Sequence, residues 1–222
     1  MARIHGVAGE WARVRGTVLG LWPLFLGIFS AGFAVALMLA YAFYGLLLLI
    51  VSLIGISASL MFGLRRIERF FKGARGEEKV AGVLAGLPDG FHVFNDFKAG
   101  SAFVDHVVLG PTGVFSIETK CWSGEVTVEE GSVLVNGRLP SRDPIPQAVK
   151  ESDLVRGSFA AVGWKGKVVP ILVFASDNFR ASAIEVGGAV IMNSSGIVGA
   201  ITSGSQVLSE SEVRRLVSII ES

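Results

Sequence analysis

The chain has one cysteine, Cys121, so an internal disulfide is excluded. It also lacks an excess of charge, because 20 basic and 19 acidic side chains give a formal net charge of +1. A chain with this balance does not bind nucleic acid through its overall charge. The stretches Gly187-Gly188 and Ser194-Ser-Gly196 match no phosphate-binding fingerprint and are interpreted as turns. A thiol-poor composition favours a reducing compartment, and any nucleic-acid contact must be local.

Charged residues are also missing from one long segment. From Gly16 to Leu64 there is no Asp, Glu, Lys, Arg or His, a run of 49 residues. A bilayer core about 30 Å thick needs about 20 helical residues, so the run predicts a transmembrane hairpin with helices near 18–38 and 42–62. A cleaved signal sequence is a competing interpretation, but the uncharged run far exceeds the apolar part of such a signal, which has only about 7 to 15 residues. Two helices buried in a soluble core are the alternative.

Basic residues flank the uncharged run on both sides, and short basic flanks stay in the cytoplasm. The sequence therefore predicts a two-span protein of the inner or plasma membrane with both termini cytoplasmic. This interpretation gives a cytoplasmic N-terminal tail (1–15), the transmembrane hairpin (16–64), a basic juxtamembrane linker (65–75) and a further domain (76–222). The linker is the densest basic patch, and its position favours contact with anionic lipid over contact with nucleic acid.

The segment from Phe103 to Lys120 has the pattern of a β-hairpin with three charges in otherwise apolar strands. Its centre, Gly110-Pro-Thr-Gly113, is a turn signal. A turn centred there puts Asp105 opposite Glu118 with both side chains on one face, which Lys120 shares by the period of a strand. Strands that are apolar on both faces favour a central place in a covered sheet. The alternative is a solvent-facing ladder with an exposed ion pair.

Two carboxylates held side by side repel each other unless one takes up a proton or a divalent cation lies between them. Oxygen ligands suit Mg²⁺ or Mn²⁺. Such an ion polarises a phosphoryl oxygen and generates hydroxide at neutral pH, while a nearby lysine orients the attacking water or offsets developing charge. The hairpin therefore predicts phosphodiester hydrolysis.

The remaining pattern alternates helices and strands. Residues 76–87 have apolar side chains at helical spacing, so Glu77 lies near the predicted helix start, where it either reaches the site or stabilises the helix dipole. Strands are predicted at 92–97, 167–175 and 189–192, and a helix at 146–162. Ser209 and Glu212 form a capping-box signal for a C-terminal amphipathic helix. His106 should face away from Asp105 and lie in the core.

Asp105, followed after the hairpin by Glu118-Thr-Lys120, resembles the metal-binding core of the PD-(D/E)xK nuclease superfamily. The sequence around this core resembles the nuclease-related domain (NERD) family over about 73–178, in the stretches Gly76-Glu-Glu78, Val104-Asp-His-Val-Val108, Gly110-Pro-Thr-Gly-Val-Phe115, Ile117-Glu-Thr-Lys120, Trp122-Ser-Gly124 and Pro144-Ile-Pro-Gln147. The resemblance implies an α/β fold of restriction-endonuclease type, with a mixed central sheet flanked by helices.

The resemblance also implies roles for particular residues. Asp105 and Glu118 would ligate the metal, and Lys120 would be the catalytic lysine. Glu77 would be the acidic residue of the preceding helix, and Gln147 would be the polar residue that opens the helix after the core.

These observations lead to one hypothesis: a membrane-anchored nuclease, dependent on Mg²⁺ or Mn²⁺, on the cytoplasmic face. The resemblance to the superfamily, whose members usually act on DNA, favours DNA over RNA as the substrate. The lipid bilayer is the other predicted partner, through residues 16–64. Formation of a homo-oligomer stays open. The alternative is a catalytically inactive tethered scaffold that keeps the fold and binds nucleic acid or a protein.

Overall fold

The computed structural model describes residues 1–100, 102–176, 178–179, 181 and 183–220. The chain divides into two compact units. One runs from Glu10 to Ala74, and the other combines Met1–Gly9 with Arg75–Ser222. The second unit contains a seven-stranded mixed sheet with helices, which confirms the predicted α/β class.

The first unit is formed by α1 (Glu10–Met38) and the larger part of α2 (Ala42–Leu84). Each helix contains a window long and apolar enough to cross a membrane, and only 11% of each window is buried. Such low burial is unlike that of core helices in a soluble protein. Glycine allows close packing, because a Cβ on Gly20 would lie 2.4 Å from Cγ1 of Ile67. The two helices are compatible with a transmembrane hairpin.

The strands in the sheet of the second unit are β1 (Arg3–His5), β2 (His92–Ala99), β3 (Ala102–Gly110), β4 (Gly113–Lys120), β7 (Val168–Phe174), β8 (Ile184–Val186) and β9 (Ala189–Asn193). Their order in the sheet is β1-β2-β3-β4-β7-β9-β8. Strand β3 pairs antiparallel with both β2 and β4, whereas β1 pairs parallel with β2, and β7 pairs parallel with both β4 and β9. Strands β3 and β4 are therefore central, as predicted. A separate hairpin contains β5 (Val126–Glu129) and β6 (Ser132–Val135).

Helices cover both faces of this sheet. Helices α3 (Ile145–Ala160) and α5 (Glu210–Ile220) pack on one face, and the last turns of α2 pack with α4 (Ile197–Thr202) on the other. Along β4, Val114 faces the α3 side and Ile117 the α2 side, so by alternation Glu118 and Lys120 point toward α3.

The helix before the sheet differs from its prediction. Residues 65–75, expected to be a linker, and 76–84, expected to begin a new helix, all lie within α2. Gly76 looks like a helix boundary in sequence, but its role is close approach. A Cβ there would lie 2.7 Å from Cβ of Cys121, so glycine lets α2 pack against the end of β4.

The C-terminal helix begins as its sequence predicts. The backbone N–H of Ser209 donates to Oε2 of Glu212 at 2.8 Å, and the N–H of Glu212 donates back to Oγ of Ser209 at 3.3 Å. This reciprocal pair is the predicted capping box, and it fixes the start of α5 against the sheet.

Candidate active site

The β3–β4 hairpin brings Asp105 to the point where its two strands separate. Pairing begins at Gly110 with Gly113 and runs to His106 with Ile117, which is the predicted register. The next pair would be Asp105 with Glu118, but the ladder stops before it. Instead, the backbone N–H of Thr119 donates to Oδ2 of Asp105 at 2.7 Å. The carboxylate thus takes the place of a backbone acceptor, and this contact fixes its position.

Glu118 lies at the centre of a small polar network. It is only 3% exposed, and its Oε1 accepts from Nζ of Lys120 and, at 2.8 Å, from Nε2 of Gln147. Nζ of Lys120 also donates to Oε1 of Gln147 at 3.0 Å. A buried carboxylate is costly unless donors compensate its charge, and these two side chains supply them. The structure therefore brings Glu118, Lys120 and Gln147 into mutual contact.

Helix α3 supplies Gln147 and a second side chain that the sequence analysis did not select. Gln147 lies in the first turn, whose start is fixed by Oδ1 of Asp143 accepting the N–H of Ile145 at 3.0 Å. One turn later, Oε1 of Glu151 accepts from Nε2 of Gln147 at 2.9 Å. Glu151 is buried, and its Oε2 has no hydrogen-bond partner among the described residues. A spacing of four residues on a helix was the signal that could have identified it.

Glu77 lies well inside α2 and not in a first helical turn. The alternative prediction, that Glu77 stabilises a helix dipole from the first turn, is therefore wrong. It is buried, its carboxylate lies close enough to Asp96 and Glu118 for electrostatic repulsion, and the backbone of Gly9 hydrogen-bonds it. Asp96 was also missed by the sequence analysis. It has a φ of 50°, and the β2–β3 ladder skips it where it would face Asp105.

The pKa values of three acids reflect crowding in a buried place. Burial raises the pKa of Glu77 to about 7, and the charges of Asp96 and Glu118 add to the rise. Burial, followed by repulsion from Glu118 and Glu77, raises the pKa of Asp105 well above its usual range, although the N–H of Thr119 opposes this. Burial and the neighbouring Glu118 raise the pKa of Glu151 to about 9. The cluster carries more carboxylates than its lysine can neutralise.

The donor set fits a hard divalent ion bound by few protein ligands. Among the residues that the structure describes, no group of three or more His, Cys, Asp or Glu side chains is arranged to hold a metal. Asp105 and Glu118 lie close enough for their charges to repel each other, so they offer a pair of carboxylates. Mg²⁺ is commonly bound by one or two carboxylates, with water and substrate phosphate completing its shell. A cation would also relieve the surplus negative charge.

The histidine next to Asp105 belongs to the other face of the sheet, as predicted. His106 is fully buried, with Nδ1 2.8 Å from Oδ1 of Asn95. Burial lowers the pKa of His106 to about 3, so its ring is neutral at physiological pH. It is a core residue that takes no part in the carboxylate cluster.

Residues 72–175 match the family model of the nuclease-related domain, NERD. The matched segment contains all five residues selected from sequence: Glu77, Asp105, Glu118, Lys120 and Gln147. No curated protein and no solved structure matches the chain. The family match nevertheless agrees with the resemblance found in sequence, and it covers the strands and helix that form the site. The chain therefore carries a nuclease-related domain, NERD, over residues 72–175.

Proposed function

We propose that this protein is a membrane-anchored, metal-dependent nuclease that hydrolyses phosphodiester bonds of nucleic acid, with DNA preferred over RNA. One observation carries the proposal. Within a nuclease-related domain, the acids Asp105 and Glu118 lie at the open end of the β3–β4 hairpin, and the ammonium of Lys120 forms an ion pair with Glu118. The domain family alone would establish only a nuclease-related fold.

In this proposal Asp105 and Glu118 hold Mg²⁺ or Mn²⁺. The ion would supply Lewis-acid polarisation of a phosphoryl oxygen and a bound water of lowered pKa. The ammonium of Lys120 orients the attacking water and offsets negative charge that develops on the phosphate. Gln147 contacts both Lys120 and Glu118, so it holds the two groups in register. Glu77 adds negative charge beside the metal-binding pair.

Cleavage by the full-length chain tests the proposal. The protein in lipid nanodiscs is incubated with linear DNA, circular DNA and RNA, in Mg²⁺, Mn²⁺ or EDTA. We expect cleavage of DNA with either metal and none with EDTA. Glu118→Gln keeps the shape and hydrogen-bond acceptor of the side chain but removes its charge. It should lower the rate by at least about a hundredfold, the upper range for losing even an outer partner of a metal ligand.

Three other results would contradict parts of the proposal. Binding of DNA without cleavage in any metal would support the alternative, an inactive tethered scaffold. Cleavage of RNA alone would overturn the substrate preference. Cleavage that survives both EDTA and Glu118→Gln would separate the activity from this site.

The proposed anchor predicts which residues face outward. Tyr41 lies between α1 and α2 and is 61% exposed, whereas Ser209 lies in the second unit, which contains the sheet. In a Cys121→Ser background, we expect Tyr41→Cys to react with a membrane-impermeant maleimide in intact cells. Ser209→Cys should react only after permeabilisation. The reverse pattern would overturn the orientation, and equal labelling of both in intact cells would exclude two membrane spans.

A further inference from the structure

The first residues of the chain complete the seven-stranded sheet of the second unit, although the family match begins at residue 72. Strand β1 pairs parallel with β2, placing Arg3 beside His92 and His5 beside Phe94. The N–H of Arg3 donates to the carbonyl of Phe91 at 2.9 Å. The predicted N-terminal tail is therefore, in part, an edge strand.

Side chains fit this strand closely to β2. Nε2 of His5 lies 3.1 Å from Nδ1 of His92, and the His5 ring stacks on Phe94 with centroids 4.3 Å apart. Nδ2 of Asn95 donates to the carbonyl of Gly6 at 3.2 Å. A Cβ on Gly6 would lie 2.8 Å from the backbone oxygen of Asn95, so glycine is needed for this approach.

The same segment ends at the carboxylate cluster. After the strand, Ala8 is only 6% exposed, and Gly9 takes a left-handed φ of 73°. The backbone of Gly9 then hydrogen-bonds Glu77, and this contact favours the charged carboxylate. The N-terminal segment thus connects the edge of the sheet with the acidic cluster.

We infer that residues 1–9 position Glu77 in the active site, so that the nuclease site is complete only with a segment that precedes the apolar hairpin. This inference rests on the proposed function for its effect on cleavage. Glu77 has its backbone donor at Gly9, and Gly9 is held in place by the pairing of β1 with β2. Loss of that pairing should displace the donor and leave Glu77 without its constraint.

A proline variant with two matched controls tests this in the full-length chain. Arg3→Pro removes the N–H that bonds Phe91 and should detach β1. In Ile4→Pro the affected N–H points away from β2, because N–H groups alternate along a strand, and an edge strand tolerates proline there. Arg3→Ala removes the side chain of Arg3 but keeps its N–H.

Hydrogen exchange in nanodiscs gives a readout that does not depend on activity. Arg3→Pro is expected to raise exchange in peptides covering β2 and residues 75–80, while Ile4→Pro and Arg3→Ala behave like the wild-type chain. In cleavage assays Arg3→Pro should lose about 10- to 100-fold in rate, the size of effect that a displacement of about 1 Å produces. It should also need more Mn²⁺ for half-maximal rate, which a mere loss of folded molecules would not change.

A double-mutant cycle decides whether the loss of β1 pairing affects cleavage through Glu77. Arg3→Pro added to Glu77→Gln should have little further effect on the rate, because both changes remove the same interaction. Fully additive losses would overturn the positioning role. Unchanged exchange in Arg3→Pro would overturn the inference even if the wild-type chain cleaves DNA. If the wild-type chain cleaves nothing, the proposed function fails, and exchange at residues 75–80 still decides whether the segment holds Glu77.

Discussion

Replacing Lys120 with alanine is expected to lower metal-dependent cleavage by about a thousandfold, within the range for losing a group that transfers protons or stabilises transition-state charge. A loss of this size is expected because the ammonium of Lys120 donates hydrogen bonds to buried Glu118 and to Gln147. In the proposed reaction, the attacking water and the developing phosphate charge would then lose their positive partner. The measurement is the initial cleavage rate in saturating Mn²⁺, compared with the wild-type chain.

Lys150→Ala is the matched control. Lys150 is an exposed lysine on α3, three residues after Gln147, so the variant removes the same charge from the same side of the sheet. It should cleave at the wild-type rate. Equal losses in both variants would indicate a general electrostatic effect on nucleic-acid binding, and full activity of Lys120→Ala would exclude this lysine from the chemistry.

The second large effect concerns stability, pH and metal. Glu77 and Glu151 have folded-state pKa values of about 7 and about 9, above the ordinary 4.5. A raised pKa means that protonation favours the folded state. Its contribution is complete below about pH 4.5 and is lost as pH rises through 7 and 9. In EDTA, the Tm of the full-length protein should therefore fall between pH 5 and pH 9.

Divalent metal should reverse this trend, since it neutralises the carboxylates that protons otherwise neutralise. Free Mn²⁺ at 100 times its Kd would stabilise the folded state by about 2.7 kcal/mol. For a domain of this size that corresponds to roughly 5 to 11 °C in Tm. The gain should be larger at pH 8 than at pH 6. Tryptophan fluorescence can follow unfolding, because Trp122 and Trp164 pack against Phe174 and Phe159.

Glu151→Gln isolates one part of the pH dependence. The amide oxygen keeps an acceptor for Nε2 of Gln147, but the side chain cannot ionise. The fall in Tm between pH 5 and pH 9 should therefore be smaller than in the wild-type chain. Glu210→Gln, at an exposed position on α5, serves as the control and should keep the wild-type slope. A steeper or equal slope in Glu151→Gln would contradict the raised pKa.

Local signals explain what could be predicted from sequence. The register of the central hairpin followed from its turn, since Gly110 and Gly113 close a two-residue loop and every later pair is then determined. The meeting of Glu118 with Lys120 followed from the period of a strand. The apolar helices followed from a run without charge, and the C-terminal helix from its capping box.

The features that were missed depend on contacts between distant parts of the chain. Strand β1 has only three residues, and its His5 contacts His92 of β2 across a separation of 87 residues, so no local pattern marks the strand. Gly76 marks a close approach to Cys121, which in sequence cannot be distinguished from a helix boundary. Asp96 joins the cluster through a left-handed backbone conformation that alternation does not predict. Among the features that were missed, only Glu151 had a signal in the sequence, namely its spacing of four residues from Gln147.

The pairing of β1 with β2 has a consequence for the order of synthesis. His5 leaves the ribosome 87 residues before His92, and the whole uncharged run lies between them. At about 5 to 20 residues per second, translation separates the two strands by roughly 4 to 17 s. The newly made β1 must wait for its partner throughout that interval. The edge of the sheet therefore closes only after both apolar helices have been translated, which delays completion of the carboxylate cluster until the apolar helices have been made.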